Sequence, residues 1–85
     1  MPEISRFYGL IVSMFYHDHN PPHFHVSYGE FKAVVYIDSK EIVGDFPKRG
    51  QKLILEWLSQ HSEELINNWE LARLGEPIHQ IEPLQ

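Results

Sequence analysis

The chain has 85 residues and a formal net charge of −5 with histidines neutral. Hydrophobic residues make up 42% and aromatics 13%, enough for one folded domain over residues 1–85 and too much for a disordered tail. Cysteine is absent, which excludes disulfides, thiolate zinc sites, iron–sulfur clusters and a cysteine nucleophile. No apolar run approaches the ~20 residues that span a bilayer. Met1-Pro2-Glu3 lacks the basic and apolar regions of a signal peptide, so a cytoplasmic protein without membrane contact is expected. The acidic balance lacks the basic footprint of a nucleic-acid binder at the level of the whole chain, and leaves local basic patches open.

The first predicted element is a strand from Arg6 to Tyr16. Its alternate positions Tyr8, Leu10, Val12, Met14 and Tyr16 are all apolar or aromatic, while the other set carries Gly9 and Ser13. Asn20-Pro21-Pro22 breaks it, because proline cannot donate to a ladder and restricts the residue before it. A second strand, His23 to Tyr28, sends Phe24, Val26 and Tyr28 to one face and His23, His25 and Ser27 to the other. Gly29-Glu30 predicts a hairpin turn into a third strand, Phe31 to Ile37. Asp38 to Glu41 is a further turn, and Ile42-Val43-Gly44 a short fourth strand. Three or four antiparallel strands in a meander result.

Asp45-Phe46-Pro47 opens a helical region, with Asp45 or a neighbour as cap. Leu53, Ile54, Trp57, Leu58, Leu65, Ile66, Trp69 and Ala72 repeat at 3.6 residues, which predicts both tryptophans in the core. Ser62 followed by Glu63 and Glu64 resembles a fresh helix start, so two helices are expected, divided near Gln60-His61. Gly75 and Pro77 stop the second. Ile78 to Leu84 is expected to run extended along the sheet. The predicted fold class is α+β, a two-layer sandwich with two helices on one face of the sheet.

Chemical character is concentrated in one segment. The chain has 6 histidines, and four of them, His17, His19, His23 and His25, fall between residues 17 and 25, where the link after the first predicted strand leads into the second. His23 and His25 project from one strand face with Cα atoms roughly 6.5–7 Å apart. Imidazoles at that spacing can converge on a divalent transition metal such as zinc. His17 or His19 can supply a third ligand, and Asp18 a fourth ligand or a partner to one of the rings. Metal-free acid–base work by a histidine pair, as in phosphodiester cleavage, is a second possibility. A polar sheet edge whose histidines bond to carbonyls, aspartate and water is a third.

Lys48, Arg49 and Lys52 occupy the first helical turn, where positive charge opposes the helix dipole. Free amides with added basic side chains suit an anion such as an RNA phosphate, and Arg6 is a candidate to join them. Plain solubility, with ion pairs to Asp45 or Glu56, is the competing explanation. His61 is expected to be a cap or a hydrogen-bonded residue, and His79 carries no separate signal.

Several stretches together resemble a bacterial family, domain of unknown function (DUF) 4160. They are Ile4-Ser5-Arg6-Phe7-Tyr8-Gly9, His19-Asn20-Pro21-Pro22-His23-Phe24-His25 with Tyr28-Gly29-Glu30, Glu56-Trp57, Glu64-Leu65 with Asn68-Trp69, and Ile81-Glu82-Pro83-Leu84. The resemblance implies no set activity. It implies a protein encoded beside a second small protein, in a paired module similar to a toxin–antitoxin system. The family's proline–histidine motif carries over to His19, Asn20, Pro21, Pro22, His23 and His25. The family often has an acid at position 17, so His17 departs from it, which favours His19, His23 and His25 as the functional trio.

Two functions follow as expectations. The first is an interaction module for a cognate small protein, with nucleic-acid contact through Lys48, Arg49, Lys52 and Arg6. The second is a metal- or histidine-dependent phosphodiesterase resembling a ribonuclease, built on His19, His23 and His25. An exposed sheet edge leaves a homodimer open.

Overall fold

The computed structural model describes residues 2–85. It is an α+β fold. Five antiparallel strands, β1 (Glu3–Phe7), β2 (Leu10–Ser13), β3 (His23–Tyr28), β4 (Phe31–Tyr36) and β5 (Ile42–Val43), pair in chain order. One helix, α1 (Lys48–Arg73), follows. Among the described residues, no helix is long and apolar enough to cross a membrane.

The expected first strand is in fact a hairpin. The chain reverses at Tyr8-Gly9, where both residues have positive φ, 47° and 85°. Two successive left-handed residues form the tight turn whose twist matches antiparallel strands. Glycine tolerates this without a Cβ penalty, and exposed Tyr8 accepts the strain. The sheet therefore has five strands where three or four were expected. An irregularity in register between Glu3 and Ser5 turns β1 so that Glu3 and Arg6 lie opposite Ser13 and Ile11 on one face.

Alternation along the strands sends Leu10, Val12, Phe24, Val26 and Val35 into the core with Ile54, Trp57, Leu58, Leu65 and Trp69 of the helix. The Trp57 ring packs on Phe7 at 5.3 Å and edge-on to Phe24 at 5.7 Å between centroids. Both tryptophans are buried, as the periodicity implied. The opposite face of the sheet carries Ile11, His25, Ser27, Lys32 and Val34 and has no helix over it.

The two expected helices run on as the single element α1, which breaks where the division was expected. The break is a kink at His61, whose φ of −126° and ψ of 22° are not helical. Its Nδ1 lies 2.6 Å from Glu64 Oε1 and its ring packs on Trp57, so hydrogen bonding resumes within a turn. The helix start has no side-chain cap: Pro47 holds that position, not Asp45. The end is a Schellman motif. Gly75 (φ 76°) donates its N–H to Ala72 O, and Glu76 to Leu71 O.

The tail lies beside β1 without becoming a strand. Ile81 N–H donates to Ile4 O at 2.8 Å, and the Gln80 amide to Glu3 O at 2.6 Å. Ile81 and Leu84 fill the end of the core. Trp57 Nε1 donates to Glu82 O at 2.8 Å.

Candidate metal centre

The loop between β2 and β3 folds Asp18 over the start of β3. His17 is held at φ 58° with its N–H donating to Ala72 O, so the chain turns at the helix terminus before Asp18. The Asn20–Pro21 bond is cis. His23 and His25 stand two apart on β3, in register with Tyr36 and Val34 of β4.

Asp18, His23 and His25 each offer a donor atom, and these atoms all lie within 4.8 Å of one another. Asp18 Oδ2 is 2.8 Å from His23 Nε2 and 3.6 Å from His25 Nε2. Four ligands around zinc at ~2.0–2.1 Å sit about 3.3 Å from each other. The two observed separations bracket that value. Small shifts would therefore seat a cation between the three groups.

The proton inventory points the same way. His23 Nδ1 donates to Pro21 O at 2.8 Å. A neutral ring with its proton on Nδ1 has only a lone pair on Nε2. That lone pair faces the carboxylate oxygen of Asp18, another acceptor, at 2.8 Å. Two acceptors at this distance need a shared proton or a metal ion between them. His25 Nε2 is buried, and no hydrogen bond reaches it. A nitrogen in that state is costly unless something else occupies its lone pair or takes its proton. A carbonyl holding the far ring nitrogen of a histidine is also the usual device that orients a metal ligand.

The rings are held by aromatic neighbours. His23 packs between Trp69 and Tyr36, with centroids at 5.0 and 5.5 Å, and Phe15 meets His25 edge-on at 4.4 Å. Burial of Asp18 disfavours its charged form and pushes its pKa up. Hydrogen bonds from the His19 backbone N–H and from His23, with the charge of His23, outweigh it and hold the carboxyl below its ordinary range.

The other expected site residues are placed as follows. His19 is 94% exposed, and its Nδ1 stands 3.5 Å from Asp18 Oδ1, not the oxygen that faces His23 and His25. The His17 ring lies against Gly75. Neither belongs to the three-atom cluster. Lys48, Arg49 and Lys52 lie together at the start of α1, and among the described residues none forms an ion pair. Arg6 is paired with Glu3 at 2.8 Å on β1. Asp18 takes a more central place than its sequence context signals. It was expected as a fourth ligand or a partner to one of the rings, and a loop with two prolines does not announce where its side chains converge.

Pro21 and Tyr36, which contact His23, also line a cleft of about 410 Å³ together with Pro22, Asp38, Ser39, Glu41 and Val43. Its acids give it a negative character.

Neither the curated proteins nor the solved structures contain a match to the chain. A family model described as Domain of unknown function (DUF4160) matches residues 9–70, from the turn before β2 almost to the end of α1. The chain belongs to the DUF4160 family.

Proposed function

We propose that this protein is a small metal-binding module whose working centre is Asp18, His23 and His25. The carrying observation is the pair of acceptors around His23, Pro21 O and Asp18 Oδ2, with the unpartnered His25 Nε2 beside them. Two imidazoles and one carboxylate suit a divalent first-row metal, zinc or Fe(II) among them. Three protein ligands leave a coordination position for water, substrate or a partner's side chain. A metal there would supply Lewis acidity and an activated water, which supports hydrolysis of a phosphodiester as the class of reaction. The chain's part would be to fix the three donors and to hold the rings between Trp69, Tyr36 and Phe15.

The test is elemental analysis of untagged protein, followed by zinc and nickel titration of wild type, Asp18→Asn and His25→Ala. Stoichiometric binding lost in both variants supports the reading, and nuclease assays of the loaded protein then follow. An unchanged affinity in both variants refutes it.

A second reading has its own support. Ile11, Val34 and Val43 lie on the sheet face that no helix covers, and Val43 is 49% exposed. Such a face suits an interaction module docking a cognate small protein, in a pair resembling a toxin–antitoxin system, or a second copy of the chain. The unpaired Lys48, Arg49 and Lys52 suit an acidic partner or nucleic acid. Co-purification with the protein encoded alongside it tests this reading, and a chain that remains alone and monomeric when the two are co-expressed refutes it.

A further inference from the structure

On the uncovered face of the sheet lies a second, smaller cleft of about 190 Å³. Its lining includes Ile11, Ser13, Phe15, His25, Ser27 and Lys32. The register explains why these side chains converge. Ser13 pairs with His25, Ile11 with Ser27, and Ser27 with Lys32, so all point to the same face of three adjacent strands. Two hydroxyls, an imidazole and an ammonium thus meet the apolar sides of Ile11 and Phe15.

The charge of this cleft runs against that of the chain. The protein carries a net charge of −5, and the larger cleft beside His23 is lined by Asp38 and Glu41. No acid lines the smaller one. Lys32 has no ion pair among the described residues, so its charge is free to act there. Ser13 is buried at 4% exposure, placing a hydroxyl at the floor. A ligand for this lining needs one negative charge, acceptor oxygens for the hydroxyls, and an apolar body.

We propose that this cleft binds a small organic carboxylate, its charge against Lys32 and its apolar part against Ile11 and Phe15. One ammonium with no arginine suits a monoanion better than a phosphate dianion. The volume lies below the ~300–1,000 Å³ typical of sites for drug-sized ligands, so the occupant is no larger than an aromatic acid. The cleft shares His25 with the Asp18–His23–His25 cluster, whereas Ser13, Ser27 and Lys32 belong to the cleft alone.

The experiment follows amide chemical shifts of ¹⁵N-labelled, metal-free protein during titration with benzoate, benzamide and phenyl phosphate. Saturable shifts at Ser13, His25, Ser27 and Lys32 with benzoate, and weaker binding of benzamide, are the expected result. Lys32→Gln and Lys32→Glu should each weaken benzoate binding by about tenfold or more, while Lys40→Glu, the same charge change on a remote turn, leaves it intact. Lys32 is exposed, so these variants retain the fold. Absence of saturable shifts, equal binding of benzamide, tighter binding of phenyl phosphate, or indifference to Lys32→Gln each overturns the proposal. Zinc titration of the same Lys32 variants should be unaltered, which separates this outcome from that of the Asp18–His23–His25 centre.

Discussion

Asn68 holds the backbone of His79 from both sides: its Nδ2 donates to His79 O at 2.8 Å, and its Oδ1 accepts the His79 N–H at 2.9 Å. The side chain mimics a strand partner and is 1% exposed. It fixes the tail against the helix just before Gln80 and Ile81 reach β1. Asn68→Ala should cost about 1–3 kcal/mol, since two bonds are lost and an apolar pocket is left. Thermal melts report the cost. Hydrogen exchange should show the loss of protection concentrated at His79 and Ile81.

The Asp18 carboxyl is held below its ordinary range, which makes stability depend on pH in a defined direction. A group lowered in the folded state contributes stability above its unfolded value, about 3.9 for aspartate. That contribution is lost as pH falls through the lower folded value. Asp18→Asn should therefore melt below wild type at neutral pH, and the gap should close in acid. Melting temperatures measured from neutrality down to acid check this, and a constant gap would refute the ionic role of Asp18.

A metal entering the centre displaces whatever proton lies between His23 and Asp18. Binding should then release protons and weaken as pH falls. Calorimetry in buffers of different ionisation enthalpy measures the release directly. Zinc binding with no proton exchanged at acidic pH would contradict the charge inventory around His23.

Trp69 lies 5.0 Å from the His23 ring, centroid to centroid. A paramagnetic ion on His23 should quench Trp69 emission strongly, while zinc should not. Trp57→Phe isolates the Trp69 signal. Copper titration of that variant, with and without His23→Gln, is the check: quenching should disappear when His23 is removed.

Gly9→Ala should destabilise the first hairpin. The new Cβ would meet Tyr28 Cε1 at 3.1 Å at a φ of 85°, and a left-handed non-glycine residue costs about 1–2 kcal/mol. A melting temperature equal to wild type would show that the turn relaxes to another form.

That turn was also the least legible part of the sequence. Tyr8-Gly9 lies inside a run of aromatic and β-branched residues, and tyrosine gives no turn signal. A continuous strand and a hairpin share the same alternation there, and only pairing between β1 and β2 separates them. The later meander was legible because Pro21-Pro22, Gly29 and the Asp38–Glu41 turn carry their own conformational demands. The helix face was legible from its period, and Ser62-Glu63-Glu64 marked the place where α1 kinks at His61, though not that the two segments run on as one element. At the site, the two-residue spacing of His23 and His25 on a strand was readable. The placement of Asp18 was not, because it depends on His17 bonding to the end of a helix more than fifty residues away in the chain.

The strict chain order of the sheet has a kinetic consequence. Each strand pairs with its sequence neighbour, so every register of the meander closes over a short loop and carries little entropic cost. The tail is different: Gln80 reaches back to Glu3 across 77 residues. Assembly therefore begins with local hairpins, and the docking of the tail on β1 is the step that encloses the ends of the fold. Folding speed should be governed by that last, longest closure rather than by the sheet.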